Sequence, residues 1–184
     1  KKASYAYKSI IMLPRFLSVI VVTYITYALL SPSYGIINQA IEALGGEPIM
    51  WYSEIGYWPF ILTIAHIWMT VGGGCLLYYS TLMGIDTCLF EAASIDGANV
   101  LQKCWHIALP SFKPIICMNL TLGIGAIVSV DMGLFESLPR GNGILFPATE
   151  VIGTYVYRGV LSGDIAGPAA VGVAQSVVIL VMIL

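Results

Sequence analysis

Few side chains in this sequence can do chemistry, and they are scattered. Its two histidines, His66 and His106, lie forty residues apart. Its four cysteines, Cys75, Cys88, Cys104 and Cys117, contain no C-x-x-C pair and no histidine at metal-ligand spacing, so reduced thiols are expected rather than a disulfide framework or a metal centre. No G-x-x-x-x-G-K-[ST] stretch occurs, nor any Gly-Lys pair, and nothing in the chain is therefore built to cradle nucleotide phosphates. The Gly72-Gly73-Gly74 run has no lysine behind it and sits within an apolar stretch, where small residues permit close helix packing or a hinge. A net charge of −2 leaves no basic cluster to neutralise a nucleic acid. Catalytic residues, cofactor sites and metals are not expected. What remains is a set of polar groups embedded in apolar runs: His66, Asn119, Thr121, Asp131 and Gln175. Such groups are expensive in hydrocarbon and are the default candidates for a transport path. Each could equally fasten one helix to another, a contribution of about 0.6–2 kcal/mol.

The elements that position them follow from composition. Hydrophobic residues make up 58% of the 184, charged residues only 10%, and mean hydropathy is +0.87. The apolar residues gather into long, nearly charge-free runs, which suits lipid better than a water-soluble core. Four stretches approach the roughly 20 residues a helix needs to cross a bilayer: Phe16 to Ser31, Pro59 to Met83, Lys113 to Val130, and Ala169 to Leu184. Pro14 and Arg15 lead into the first, with Arg15 reaching toward headgroups and Tyr24, Tyr27 and Tyr34 as interface anchors. The expected fold is all-α, a polytopic membrane helical bundle. No signal peptide opens the chain. The first residue is Lys1 rather than Met and the last apolar run stops at Leu184, so residues 1–184 read as a fragment truncated at both ends.

Orientation follows from charge. Lys1, Lys2, Lys8 and Arg15 precede the first span, whereas Pro32 to Trp58 carries Glu42, Glu47 and Glu54 and no lysine or arginine. The amino end is therefore placed inside, with residues 84–112 also inside and Asp131 to Pro168 outside, although Arg140 and Arg158 count against that last placement.

Residues 84–112 hold the densest local signals. Asp86 can cap a short helix, Gly97 supplies a left-handed position to end it, Ala98 to Trp105 forms a second short helix, and Pro110 stops what remains. Neither half is long enough to be stable alone in water, so the hairpin needs a partner surface.

Glu91-Ala92-Ala93, three residues, Gly97, nine residues, Ile107, one residue and Leu109-Pro110 resemble, at every fixed position and both gaps, the EAA signature of permease subunits of binding-protein-dependent bacterial ABC importers. The resemblance implies the methionine- and maltose-importer permease fold, of which this fragment would carry about four transmembrane helices. It also implies that 84–112 is the coupling loop docking on a cytoplasmic ATPase subunit, a role carried onto Glu91, Ala92, Ala93, Gly97, Ile107, Leu109 and Pro110. Cys104 stands where family members often show an aromatic residue.

A second stretch, Asp131 to Glu136, Pro139 to Gly143 and Thr149 to Arg158, is similar to the external loop of carbohydrate permeases of the oligosaccharide and polysaccharide branch. Those operate with a lipid-anchored extracellular solute-binding protein. The resemblance spans the chain and implies two further amino-terminal spans and a short carboxy-terminal tail. It further implies a second, similar permease subunit, a sugar substrate, ATP hydrolysis in a separate partner, and a multi-pass location in the bacterial cytoplasmic membrane. Trp68, Tyr78 and Tyr79 are aromatics that could stack on a sugar ring. The alternative readings are a secondary transporter or channel with no ATPase partner, which has no reason to carry an EAA loop, and a membrane enzyme, for which the facing catalytic groups are missing.

Overall fold

The computed structural model describes residues 2–183 and the side chains of residues 9–183. Lys1, Leu184 and the side chains of Lys2 and Lys8, which entered the orientation and span assignments, lie outside the described residues. The chain is built of helices, with no strand among the described residues. In order they are α1 (Lys2–Phe16), α2 (Val19–Leu30), α3 (Ile36–Ala43), α4 (Trp58–Met83), α5 (Thr87–Ile95), α6 (Val100–Lys103), α7 (Leu109–Ser111), α8 (Lys113–Val128), α9 (Met132–Ser137), α10 (Phe146–Thr149), α11 (Ile152–Leu161) and α12 (Ala166–Ile183). A π-helical turn, Cys104–Ala108, joins α6 to α7.

Among the described residues, two helices are long and apolar enough to cross a membrane by themselves, the helical stretch ending in α4 and the final α12. The number rises to four if two bent pairs each count as one span. The first bent pair corrects the stretch from Phe16 to Ser31. Ser18 takes the extended conformation of an N-cap and its hydroxyl accepts from the Val21 N–H at 3.3 Å. That conformation ends α1 and starts α2 at an angle of 106° to it, so the apolar run is a 12-residue helix behind a sharp elbow rather than one continuous span. The second pair bends by 58° where α7 meets α8. Asp131 to Pro168, expected as a loop, contains α9, α10 and α11. The last helix starts at Ala166, three residues before the expected Ala169, because Pro168 fits its first turn, where a missing N–H costs nothing.

Small residues set the packing. A Cβ on Gly72 would sit 2.8 Å from the Ile11 carbonyl oxygen, so the bare α-carbon lets α1 lie directly on α4. Close packing is thus what that member of the glycine run provides. Arg15 lies along Gly73, in the middle of α4 rather than at its end. Gly125 of α8 receives Ile179 and Ile183 of α12, and Gly159 of α11 receives Pro168.

The densest core gathers Val22 from α2, Trp58, Leu62 and Ala65 from α4, and Leu134, Leu138 and Leu145 from the 131–150 segment. Trp58 is fully buried and donates its indole N–H to the Trp51 carbonyl at 2.8 Å. The α3–α4 connection is tied down by Asn38. Its Nδ2 donates to the Ile49 carbonyl at 2.9 Å, while its Oδ1 accepts from the Ile49 N–H and from the Trp51 indole. Tyr27, expected as an interface anchor, meets Tyr52 edge-on at 5.7 Å between ring centroids. Burial pushes the Tyr52 phenol up to about 12, against the opposing pull of Arg140. Replacing Trp58 by Ala empties the centre of this cluster and is expected to lower stability by about 3–5 kcal/mol. Thermal unfolding in detergent should show the loss, with Trp58→Phe, which keeps most of the ring volume, losing clearly less.

Candidate functional site

The hairpin at residues 84–112 is locked by local hydrogen bonds. Asp86 Oδ1 accepts from the Cys88 N–H at 2.9 Å, starting α5 and holding the Asp86 carboxyl below the usual carboxylate range. At the other end Gly97 adopts φ +78°, the Ala98 N–H donates to the Ala93 carbonyl at 2.9 Å and the Gly97 N–H to the Ser94 carbonyl at 3.2 Å. That bonding is a Schellman stop. Asn99 and Gln102 then form a reciprocal capping box that opens α6, with bonds of 2.8 and 2.9 Å. Lys103 Nζ crosses back to Ser94 Oγ at 2.7 Å.

The second helix differs from the expected Ala98 to Trp105. Regular α-helix covers only Val100–Lys103, and the π turn follows. Pro110 does not end the helical path either; it sits inside α7. The two facts have one cause. A proline cannot donate to the carbonyl four residues back and clashes with it. Here the Leu109 N–H bonds to the Cys104 carbonyl five residues back, a widened turn placed directly before the proline.

Of the residues carried over from the resemblance, Ala93, Gly97 and Ile107 meet around one notch of about 310 Å³ on the inner side of the hairpin, together with Asp96 and Lys103. Glu91, Ala92, Leu109 and Pro110 do not line it and are exposed. The outer side presents an apolar set that sequence reasoning missed: Ile95, Val100, Leu101 and Trp105, exposed to between 62% and 87%. Four large exposed apolar side chains on a hairpin this short make a contiguous apolar patch of the kind that marks an interaction site. The available signal was that Ile95 and Val100 bracket the Gly97 turn and must sit at its tip.

The polar residues of the apolar runs divide. His66 and Asp131 line one cavity of about 460 Å³ between α4 and the α8–α9 junction, with Thr63, Ser129 and Phe135. Ser129 breaks α8 with φ −105° and ψ 76°. Asp131 N-caps α9, its Oδ1 accepting from the Gly133 and Leu134 N–H groups at 3.0 and 3.4 Å. Thr63 and Ser129 were not singled out from sequence. Thr63 lies one turn before His66 on the same face, a spacing that could have found it. Asn119, Thr121 and Gln175 are elsewhere. Asn119 bonds to the Ile115 carbonyl at 2.9 Å and Thr121 to the Cys117 carbonyl at 3.0 Å, both within α8. Gln175 Nε2 donates to the Val128 carbonyl at 3.0 Å, fastening α12 to the last turn of α8.

Both arginines of the 131–168 segment are engaged. Arg158 donates through Nε and Nη2 to Glu136 at 3.0 and 2.8 Å and stacks on Phe146 at 3.6 Å. Arg140 lies over the Tyr27 ring at 4.2 Å.

A family model described as binding-protein-dependent transport system inner membrane component matches residues 1–184. The polygalacturonan/rhamnogalacturonan transport system permease protein YteP of Bacillus subtilis is 30% identical over 178 residues, covering 96% of this chain and 55% of the relative. Protein LplB of the same organism is 31% identical over 177 residues with the same coverage. Among solved structures, a bacterial ABC transporter involved in the import of the acidic polysaccharide alginate aligns over all of this chain and 64% of its own, at 30% identity and a TM-score of 0.89. The same kind of transporter with an alginate pentasaccharide-bound periplasmic protein aligns at a TM-score of 0.86, at 30% identity over 97% of this chain and 62% of its own. The chain thus spans little more than half the length of these curated relatives.

Proposed function

The chain belongs to the binding-protein-dependent transport system inner membrane component family, and we propose that it is the transmembrane permease subunit of an ATP-driven importer that moves a sugar or oligosaccharide into the bacterial cytoplasm. The observation that carries this reading is the 84–112 hairpin: two short helices locked by a Schellman stop, a capping box and the Lys103–Ser94 bond, with a bare apolar tip. A stiff knob of that kind transmits a push from the partner that covers it. The partner is a cytoplasmic ABC ATPase subunit, which supplies the nucleotide chemistry that this sequence is not built to perform; the permease is not itself an enzyme. A second, similar permease completes the pore, and a lipid-anchored extracellular binding protein delivers substrate. The relatives' names support a carbohydrate cargo: arabinooligosaccharides for AraP of Bacillus subtilis, trehalose and maltose for MalF of Thermococcus litoralis. The location is the bacterial cell membrane, multi-pass. His66 and Asp131 line the translocation path, whereas the bonds made by Asn119, Thr121 and Gln175 support a role in holding α8 and α12.

The test is co-purification. Val100→Asp combined with Leu101→Asp, in the full-length permease, places two charges where an apolar contact forms. The expected result is loss of the ATPase subunits from the purified complex and of ATP-dependent uptake in proteoliposomes, with normal amounts of permease in the membrane. Retention of both would overturn the docking assignment.

A further inference from the structure

Of the chain's arginines, Arg158 is held by Glu136, Glu150 and Phe146 and Arg140 lies on Tyr27. Arg15 enters no ion pair among the described residues, and the residues outside that set contain no Asp or Glu that could supply one. Its side chain lies along α4 instead, with Nε 3.5 Å and Cζ 3.9 Å from where a Cβ on Gly73 would sit. Gly73 is ten residues, about 15 Å, before the end of α4 at Met83, a depth of half the hydrocarbon core. A guanidinium so deep is expensive in lipid and is kept where it faces water or a charged ligand.

The face of α4 on which it lies is hydrophilic. Between Pro59 and Gly74 the hydroxyl and imidazole side chains are Thr63, His66 and Thr70. The steps from Thr63 to His66, Thr70 and Gly73 are three, four and three residues, which make one stripe of a helix. Thr63, His66 and Thr70 are all exposed, and the two hydroxyls bond within α4, to the Pro59 and His66 carbonyls at 2.6 and 2.8 Å. α4 packs by an adjoining face, where Trp58, Leu62, Ala65 and Gly72 are buried. Among the described residues the stripe therefore fastens no neighbouring helix. It starts at the cavity lined by Thr63 and His66 and leads to Arg15.

We infer that this stripe walls the water-filled path and that Arg15 is a mid-membrane binding group for the carboxylate of an acidic saccharide. A guanidinium meets a carboxylate with two parallel N–H donors, and the hydroxyls and imidazole of the stripe suit sugar hydroxyls. The inference rests on the reading of the chain as an importer permease whose path includes His66, and the two are tested apart. In a cysteine-free, full-length importer assembled with its partners, Thr70→Cys is exposed to methanethiosulfonate reagents of opposite charge, sulfonatoethyl and trimethylammonium-ethyl. Relative to their rates on a small free thiol, the anion is expected to react about tenfold faster than the cation. Arg15→Lys should keep that preference and Arg15→Gln should abolish it. Trigalacturonate should slow modification by the uncharged methyl reagent more than maltotriose does, and the difference should vanish in Arg15→Gln. Equal relative rates for the two charged reagents with Arg15 intact, or equal protection by the two sugars, overturn the inference and leave the path reading standing. A thiol that no reagent reaches, with or without trapping by ATP and vanadate, takes the stripe off the path.

Discussion

Gly97→Leu is expected to cut ATP-driven uptake at least about tenfold while leaving permease levels in the membrane normal. A leucine Cβ would meet nothing within 4 Å at this position, so the effect comes from the backbone alone. With φ at +78°, a branched side chain costs roughly 1–2 kcal/mol, and the cheapest relief is to open the Schellman stop that aims α6. Once open, the Lys103–Ser94 bridge and the apolar tip lose their alignment. Asparagine tolerates the left-handed conformation far better, so Gly97→Asn should keep most of the transport. Wild-type uptake by the leucine variant, measured in proteoliposomes against matched amounts of complex, would remove the hairpin from the coupling mechanism.

The second large effect is all-or-none. α4 has 26 residues, about 39 Å of helix, and separates the 32–57 segment from the 84–112 hairpin by the thickness of a bilayer. In a cysteine-free, full-length background, a cysteine at Glu47 should react with a membrane-impermeant thiol reagent in whole cells. With the permease expressed without its ATPase subunits, one at Ile95, exposed at the hairpin tip, should react only after permeabilisation. Labelling of the Ile95 position from outside would reverse the topology and separate the hairpin from any cytoplasmic ATPase.

Much of the hairpin was legible because its signals are local: Asp86 as a cap and Gly97 as a left-handed stop act within four residues of themselves. The π turn was not legible, since nothing in a single residue type announces a bond to the fifth residue back; Pro110 signals a conflict but not its resolution. The elbow at Ser18 was missed for a related reason. Hydropathy runs smoothly from Phe16 to Ser31 and says nothing of a helix start inside it, although serine before an apolar run is an N-cap signal. In the cavity, His66 and Asp131 could be picked out by the expense of polar groups in apolar runs. That they share one space, while Asn119 and Thr121 bond their own helix, depends on how α9 folds back against α4, and no residue spacing encodes that.

The widened turn at Cys104–Ala108 has a mechanical consequence. It inserts the equivalent of one additional residue between the knob and α8, so the two stand about 100° out of the phase that an unbroken helix would give them. The 58° bend where α7 meets α8 adds an offset in direction. A thrust received at Ile95 and Val100 is therefore not in line with α8. Under the coupling role proposed for the hairpin, such a thrust acts through a cranked arm, and the motion expected of α8 is a roll and a tilt rather than a stroke along the axis.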